Sequence, residues 1–141
     1  MALTLALFDE YYTVAVVGGR DYNDFNRLIR VLDLLFSAID KPIKIISGGA
    51  NGADTLAKQY AELRGYEFEE YPANWDDLSA PCKIAYKNGK PYNKLAGLNR
   101  NKILRAYADL VIGFWDGVSP GTAEMLKESY KSQIQVHVER Y

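Results

Sequence analysis

Hydrophobic and polar positions alternate between two rhythms along this chain. The runs VAVV within Thr13–Gly19, IKII within 43–49 and LVIGF within 109–115 are nearly continuous and rich in β-branched residues. Such runs suit strands buried on both faces of a parallel sheet. Between them the period lengthens to that of a helix. Phe25, Leu28, Ile29, Leu32, Leu35, Phe36 and Ile39 share one face, with Asn23 or Asp24 placed to cap it. Ala53, Leu56, Ala57, Tyr60 and Ala61 share another, closed by Gly65. YEFEEYP (66–72) alternates as a third strand, 95–108 and 122–131 read as helices, and QIQVHVE (133–139) as a last strand. The segment 73–93 is irregular, and its Asn88-Gly89 pair marks a hairpin turn.

Strands separated by helices imply right-handed crossovers. The expectation is an α/β, Rossmann-like fold: a mostly parallel five-stranded sheet of order 3-2-1-4-5, helices on both faces, and a short hairpin insertion. All 141 residues are read as one domain, with 1–12 as an N-terminal arm or edge strand and 73–93 as the insertion. In that order strands 1 and 4 lie side by side where the winding reverses. Ligands of open α/β sheets bind in the crevice at the carboxyl ends of such strands.

Composition removes several classes of function. The chain has 17 Lys plus Arg against 18 Asp plus Glu, a net charge of −1. Bulk charge therefore gives no reason to expect nucleic-acid or membrane binding. No apolar run is long enough to span a bilayer, and the short apolar N-terminus lacks a basic leader region. One cysteine, Cys82, allows no internal disulfide, which is compatible with a cytoplasmic location. One histidine, His137, and one cysteine leave no parts for a zinc cluster or a Ser-His-Asp constellation, so no metal site is expected. His137 and the Asp76-Asp77 pair read as structural and solvated positions.

Three glycine-bearing loops fall at the predicted carboxyl edge: GGRDY, SGGANGAD and WDGVSPGTAE. Glycine lets the backbone approach a ligand closely, and a helix N-terminus offers unpaired N–H groups and partial positive charge to a phosphate. There is no Walker sequence and no dinucleotide fingerprint after the first strand, which argues against a P-loop NTPase or a standard NAD dehydrogenase. The candidate ligand-binding residues are Gly18, Gly19, Gly48, Gly49, Ser119, Gly121 and Thr122 for backbone and hydroxyl contacts, and Arg20, Arg100 and Asn101 for charge and polar contacts. Ser47 offers a hydroxyl, and Asp54 and Glu124 offer carboxylates to ribose hydroxyls. Asp54 and Glu124 are equally placed to serve their own helix N-termini. Trp75 reads as core or pocket wall rather than as a base-stacking platform.

The motifs VVGGRDYNDF, ISGGANGADTLA, YPANW, KLAGLNRNKIL and IGFWDGVSPGTAEML, in this order, resemble the YspA-type branch of the SLOG superfamily. That superfamily also holds the cytokinin-activating LOG phosphoribohydrolases and the DNA-processing protein A. The likeness runs from about Thr13 to Leu126, and the hairpin-bearing segment is similar to versions carried by bacteriophages. It implies a small-molecule nucleotide ligand of the ADP-ribose or NAD-derived class, including cyclic ADP-ribose signals. It also implies a homo-oligomer, and a role in sequestering a host immune signal. It names no certain cofactor.

The resemblance also raises an enzymatic alternative, a LOG-like hydrolase of nucleoside 5′-monophosphates with Arg100 and Glu124 as catalytic residues. Arg100 matches the LOG arginine, and Gly121-Thr122 match the LOG Gly-Thr. The LOG carboxylate, however, falls on Met125. Glu124 is one residue earlier, about 100° around a helix. This departure favours binding over cleavage. Single-stranded DNA binding is a third reading, disfavoured by the charge.

Overall fold

The computed structural model describes residues 10–141; most of the expected arm over 1–12 lies outside the described residues. In chain order the elements are β1 (Tyr12–Gly18), α1 (Phe25–Phe36), β2 (Ile43–Ser47), α2 (Ala53–Arg64), β3 (Glu67–Glu70), β4 (Ile84–Lys87), β5 (Lys90–Asn93), α3 (Ala96–Tyr107), β6 (Leu110–Trp115), α4 (Pro120–Lys131) and β7 (Gln135–Arg140). Five of the strands form one parallel sheet in the order β3-β2-β1-β6-β7. This is the 3-2-1-4-5 winding expected from the sequence. β4 and β5 pair separately as an antiparallel hairpin, with Asn88 and Gly89 both at positive φ in its turn.

Because side chains alternate across a strand, β1 feeds two cores at once. Val14 and Val16 join Ile45, Ile112 and Phe114 beneath α1 and α2, where Leu28, Leu32, Ala57 and Tyr60 are buried. Ala15 and Val17 join Ile46 and Val111 beneath α3 and α4, against Leu104, Met125 and Leu126. The strands that read as continuous apolar runs are thus the ones covered on both faces. β3 is a sheet edge, and only Phe68 among its residues is even partly buried.

Three boundaries differ from the sequence reading. α4 starts at Pro120, two residues before Thr122, because proline's fixed φ suits a first helical turn and Ser119 takes the N-cap position. β7 starts at Gln135, since Gln133 has φ 64° and turns the chain after α4. β3 is confined to Glu67–Glu70. Of the two cap candidates for α1, Asp24 serves, accepting from the Arg27 amide at 3.0 Å.

Close packing joins the first two edge loops. Gly52 has φ +79°, and a Cβ there would run into the backbone of Gly19 and Arg20. The Gly19 carbonyl in turn accepts from the Ala53 amide at 3.2 Å. Only glycine lets the two loops meet at this point.

The insertion is organised around a buried asparagine. The Asn93 carboxamide donates to the Asp77 and Pro81 carbonyls and accepts from the Lys83 and Leu95 amides. All its donor and acceptor capacity is used. Asp77 is not a merely solvated loop residue, as expected from the sequence: its carboxylate accepts from Ser79 and Ala80 and shapes the turn. Asn93→Ala orphans the Lys83 and Leu95 amides and the Asp77 carbonyl, while Pro81 keeps a bond from Asn99, a local cost of about 2–3 kcal/mol. Amide hydrogen exchange across 73–93 is expected to accelerate at least tenfold in that variant, with the five-stranded sheet unaffected.

Candidate functional site

The winding reverses at β1 and β6, and the carboxyl ends of these strands bring the loops after β1 and β6 together. Between these loops and α3 lies a cavity of about 550 Å³. Gly18, Gly19 and Arg20 line it from the first loop, and Ala50 and Asp54 from the second loop and the first turn of α2. Lys94, Arg100 and Asn101 line it from the α3 side, and Asp116, Ser119, Gly121, Thr122 and Met125 from the last loop and α4. Trp75 closes one wall and is 39% exposed, so it is pocket wall rather than core. Gly48 and Gly49 line a smaller adjoining cavity of about 330 Å³ that shares Arg20, Trp75 and Arg100.

The N-terminus of α4 is left open towards this cavity. An N-cap serine ordinarily accepts from an amide of the first turn. Here the Ser119 hydroxyl instead donates to Asp116 Oδ2 at 2.8 Å, and Asp116 Oδ1 accepts from the Val118 and Ser119 amides. These backbone bonds hold the Asp116 carboxyl below its usual range. The first intrahelical bond is Ala123 N–H to the Ser119 carbonyl. Pro120 has no N–H, so the Gly121 and Thr122 amides carry the unpaired donors of this helix end.

Arg100 reaches in from α3. Its Nη1 donates to the Gly48 carbonyl at 2.7 Å and its Nε to Asn101 Oδ1 at 3.2 Å. The guanidinium lies where a Cβ on residue 48 would stand, so any side chain there would displace it. Burial pulls the Arg100 pKa down, opposed by the nearby Asp54 charge. Asn101 passes the connection on: its Nδ2 donates to Glu124 Oε1 at 3.1 Å and to the Gly121 carbonyl at 3.3 Å. Arg105 Nη1 completes the chain by donating to the same Glu124 oxygen at 3.0 Å.

Two of the candidates sit behind the cavity wall. Glu124 turns to Asn101 and Arg105, whereas Met125, fully buried, lines the cavity next to it. Met125 and Glu124 therefore diverge as their one-residue offset on a helix requires. Ser47 is fully buried beneath the edge, and its Oγ has no hydrogen-bond partner. The sequence reading missed Lys94, Asp116 and Tyr141. Tyr141 donates to Asp21 at 2.6 Å and packs on Tyr22, fixing the first loop from the far end of the chain. Asp116, within WDGVSPG, had a local signal in its Asp-x-x-Ser spacing; Tyr141 had none. His137 lies on β7 with Nε2 3.2 Å from Glu139, away from the cavity. Among the described residues no group of three or more His, Cys, Asp or Glu side chains is placed to hold a metal, and no helix is long and apolar enough to cross a membrane.

The fold and its edge cavity define a Rossmann-like α/β protein. Residues 12–77 match the family described as YAcAr, the YspA, cpYpsA-related SLOG family. That stretch contains VVGGRDYNDF, ISGGANGADTLA and YPANW, three of the five motifs that carry the resemblance. Among solved structures, it is similar to the DNA processing protein A of Streptococcus pneumoniae at 20% identity, with a TM-score of 0.66 over 95% of this chain. The chain spans 52% of that protein. It is also similar to the DNA processing protein A of Helicobacter pylori, which binds single-stranded DNA, at 22% identity and a TM-score of 0.65, covering 94% of this chain and 67% of that one. A third structure, TM1055, gives 23% identity and a TM-score of 0.58 over 88% of this chain and 71% of its own. At these identities the likeness is one of fold. No curated protein matches the sequence.

Asp54 makes the site sensitive to pH. It is 6% exposed, and burial pushes its pKa up to about 6, against the opposing pull of the Ala50 N–H and the Arg100 charge. The folded state thus keeps a proton that the unfolded chain releases near 3.8. Stability conferred by that proton is lost as pH rises towards 6. At about 1.4 kcal/mol per pH unit, the cost above that window is of the order of 3 kcal/mol. Asp54→Asn is expected to match the parent's denaturant stability at pH 4 and exceed it by 1 kcal/mol or more at pH 7.

Proposed function

We propose that this protein binds a nucleotide or nucleotide-derived ligand in the cavity at the carboxyl edge, without cleaving it. One observation carries the reading: the uncapped N-terminus of α4 and the guanidinium of Arg100 open onto the same cavity. Unpaired amides with the helix dipole suit a phosphate, and a guanidinium neutralises its charge. Arg20 takes part in no ion pair or side-chain hydrogen bond among the described residues and is free to add a second cation. Asp54, facing the same cavity, supplies an acceptor for ribose hydroxyls.

The SLOG resemblance narrows the ligand to an ADP-ribose or NAD-related molecule, cyclic ADP-ribose included. With the phage-like insertion it makes a homo-oligomeric cytoplasmic protein that sequesters such a signal the leading biological role. Cleavage of an N-glycosidic bond needs a carboxylate or another group to stabilise charge on the ribose or to position water. Glu124 is engaged with Asn101 and Arg105, and Met125 faces the cavity in its place. That favours holding the ligand over hydrolysing it.

The protein is to be incubated with AMP, NAD and cyclic ADP-ribose while thermal stability and products are followed. The expected result is stabilisation by one or more of them with the ligand recovered intact. Release of free base with ribose 5-phosphate, abolished in Glu124→Ala, would establish the hydrolase instead. A Cβ at Gly121 meets no atom within 4 Å. Gly121→Leu is therefore expected to keep the parent's melting temperature within a few degrees and to weaken ligand binding by at least about tenfold, or 1.4 kcal/mol.

A further inference from the structure

The insertion bounds a second cavity, of about 670 Å³, between the β4–β5 hairpin and the first edge loop. It shares Arg20 and Trp75 with the main cavity, so the two meet at this pair. Each is the size of a whole ligand site, about 300–1,000 Å³. Its far wall carries Lys87 and Lys90, which with Arg20 make no ion pair among the described residues. Asp76 is the one carboxylate on this lining. The chain as a whole has a net charge of −1, so three unpaired cations here form a local concentration.

The aromatic groups of the shared wall are also available. Trp75 and Tyr92 meet edge to face with centroids 6.4 Å apart, and the Trp75 indole N–H has no partner among the described residues. The Asn93 amide donates to the Trp75 carbonyl at 2.7 Å, which ties this wall to the hairpin. Cations beside an exposed aromatic wall suit a phosphate linked to a base.

We propose that the hairpin cavity is the second half of a two-part nucleotide site. The ligand is two nucleosides joined through phosphate. One half is held against α4 and Arg100, the linking phosphates pass Arg20, and the other half lies along Trp75 and Tyr92 under Lys87 and Lys90. This rests on the nucleotide reading of the main cavity and assigns the insertion to ligand recognition. A mononucleotide fills only the main cavity and does not sense the hairpin.

Calorimetric titrations of the full chain test this with AMP, NAD as a pyrophosphate-linked dinucleotide, pApA as a phosphodiester-linked one, and a ten-residue oligothymidylate. The proteins are the parent, Lys87→Glu/Lys90→Glu, Lys87→Ala/Lys90→Ala and Trp75→Ala. The hairpin lysines are exposed, so both double variants are expected to fold. The expected result is that one dinucleotide binds at least tenfold more tightly than AMP. The charge reversal removes that advantage, the alanine pair and Trp75→Ala reduce it, and AMP affinity changes less than twofold in the two lysine variants. Whether NAD or pApA binds identifies the linkage. Dinucleotide and AMP affinities that are equal, or that fall together in the lysine variants, overturn the two-part site while leaving the nucleotide reading intact. Tightest binding of the oligothymidylate overturns it in favour of a strand-binding track. Failure of every nucleotide to bind the parent overturns both readings.

Discussion

β1 and β6 run in parallel register from Val14 opposite Leu110 to Gly18 opposite Phe114. Most of the site follows from this pairing, because it is where the sheet changes its direction of winding. Strands to one side are reached by α1 and α2, those to the other by α3 and α4. The pairing is fastened at both ends: Asp109 accepts from the Thr13 amide at 2.9 Å, and Gly19 donates to the Phe114 carbonyl at 3.1 Å. Beyond Phe114, its ring packs on Tyr22 and Tyr22 on Tyr141. The loop that follows β1 is thus held between the last strand and the first turn of α2. A crevice left by the reversed winding becomes a cavity with fixed walls.

A second constraint is electrostatic. Arg100 is drawn into the wall of that cavity, and a buried cation is costly unless its donors are satisfied. Carbonyl and carboxamide oxygens satisfy Arg100 Nη1 and Nε, and Asp54 offsets the charge from nearby. The carboxamide of Asn101 is itself oriented by Glu124, which is paired with Arg105. Glu124 therefore acts on the site through two intermediaries. The same network joins α3 to the first turn of α4, so the open helix end and the guanidinium are positioned by one set of bonds.

Much of this was legible along the chain. VAVV, IKII and LVIGF marked the central strands because strands buried on both faces lose their polar alternation. The helix faces were legible from their period, and the parallel winding from the alternation of strands and helices. Gly18, Gly19, Arg20, Asp54, Gly121 and Thr122 were identifiable as candidates because each stands next to a strand end or a helix start, and Arg100 through its match to the LOG arginine. Local spacing also predicted that Met125 and Glu124 face different ways.

The directions of the side chains were decided by contacts between segments far apart in sequence. Nothing near Glu124 announces Arg105, nothing near Asp21 announces Tyr141, and nothing in the irregular insertion announces that Asn93 is its buried centre. The Ser119 hydroxyl had two local partners to choose from, and the loop geometry beside β6 gave it to Asp116 rather than to its own helix. The sequence by itself determined the alternation of strands and helices and which loops share an edge, because these depend on periodicity and chain direction. Which polar groups face the cavity and which brace it was left to the tertiary structure. Hydrogen-bond partners and burial exist only once distant segments have packed.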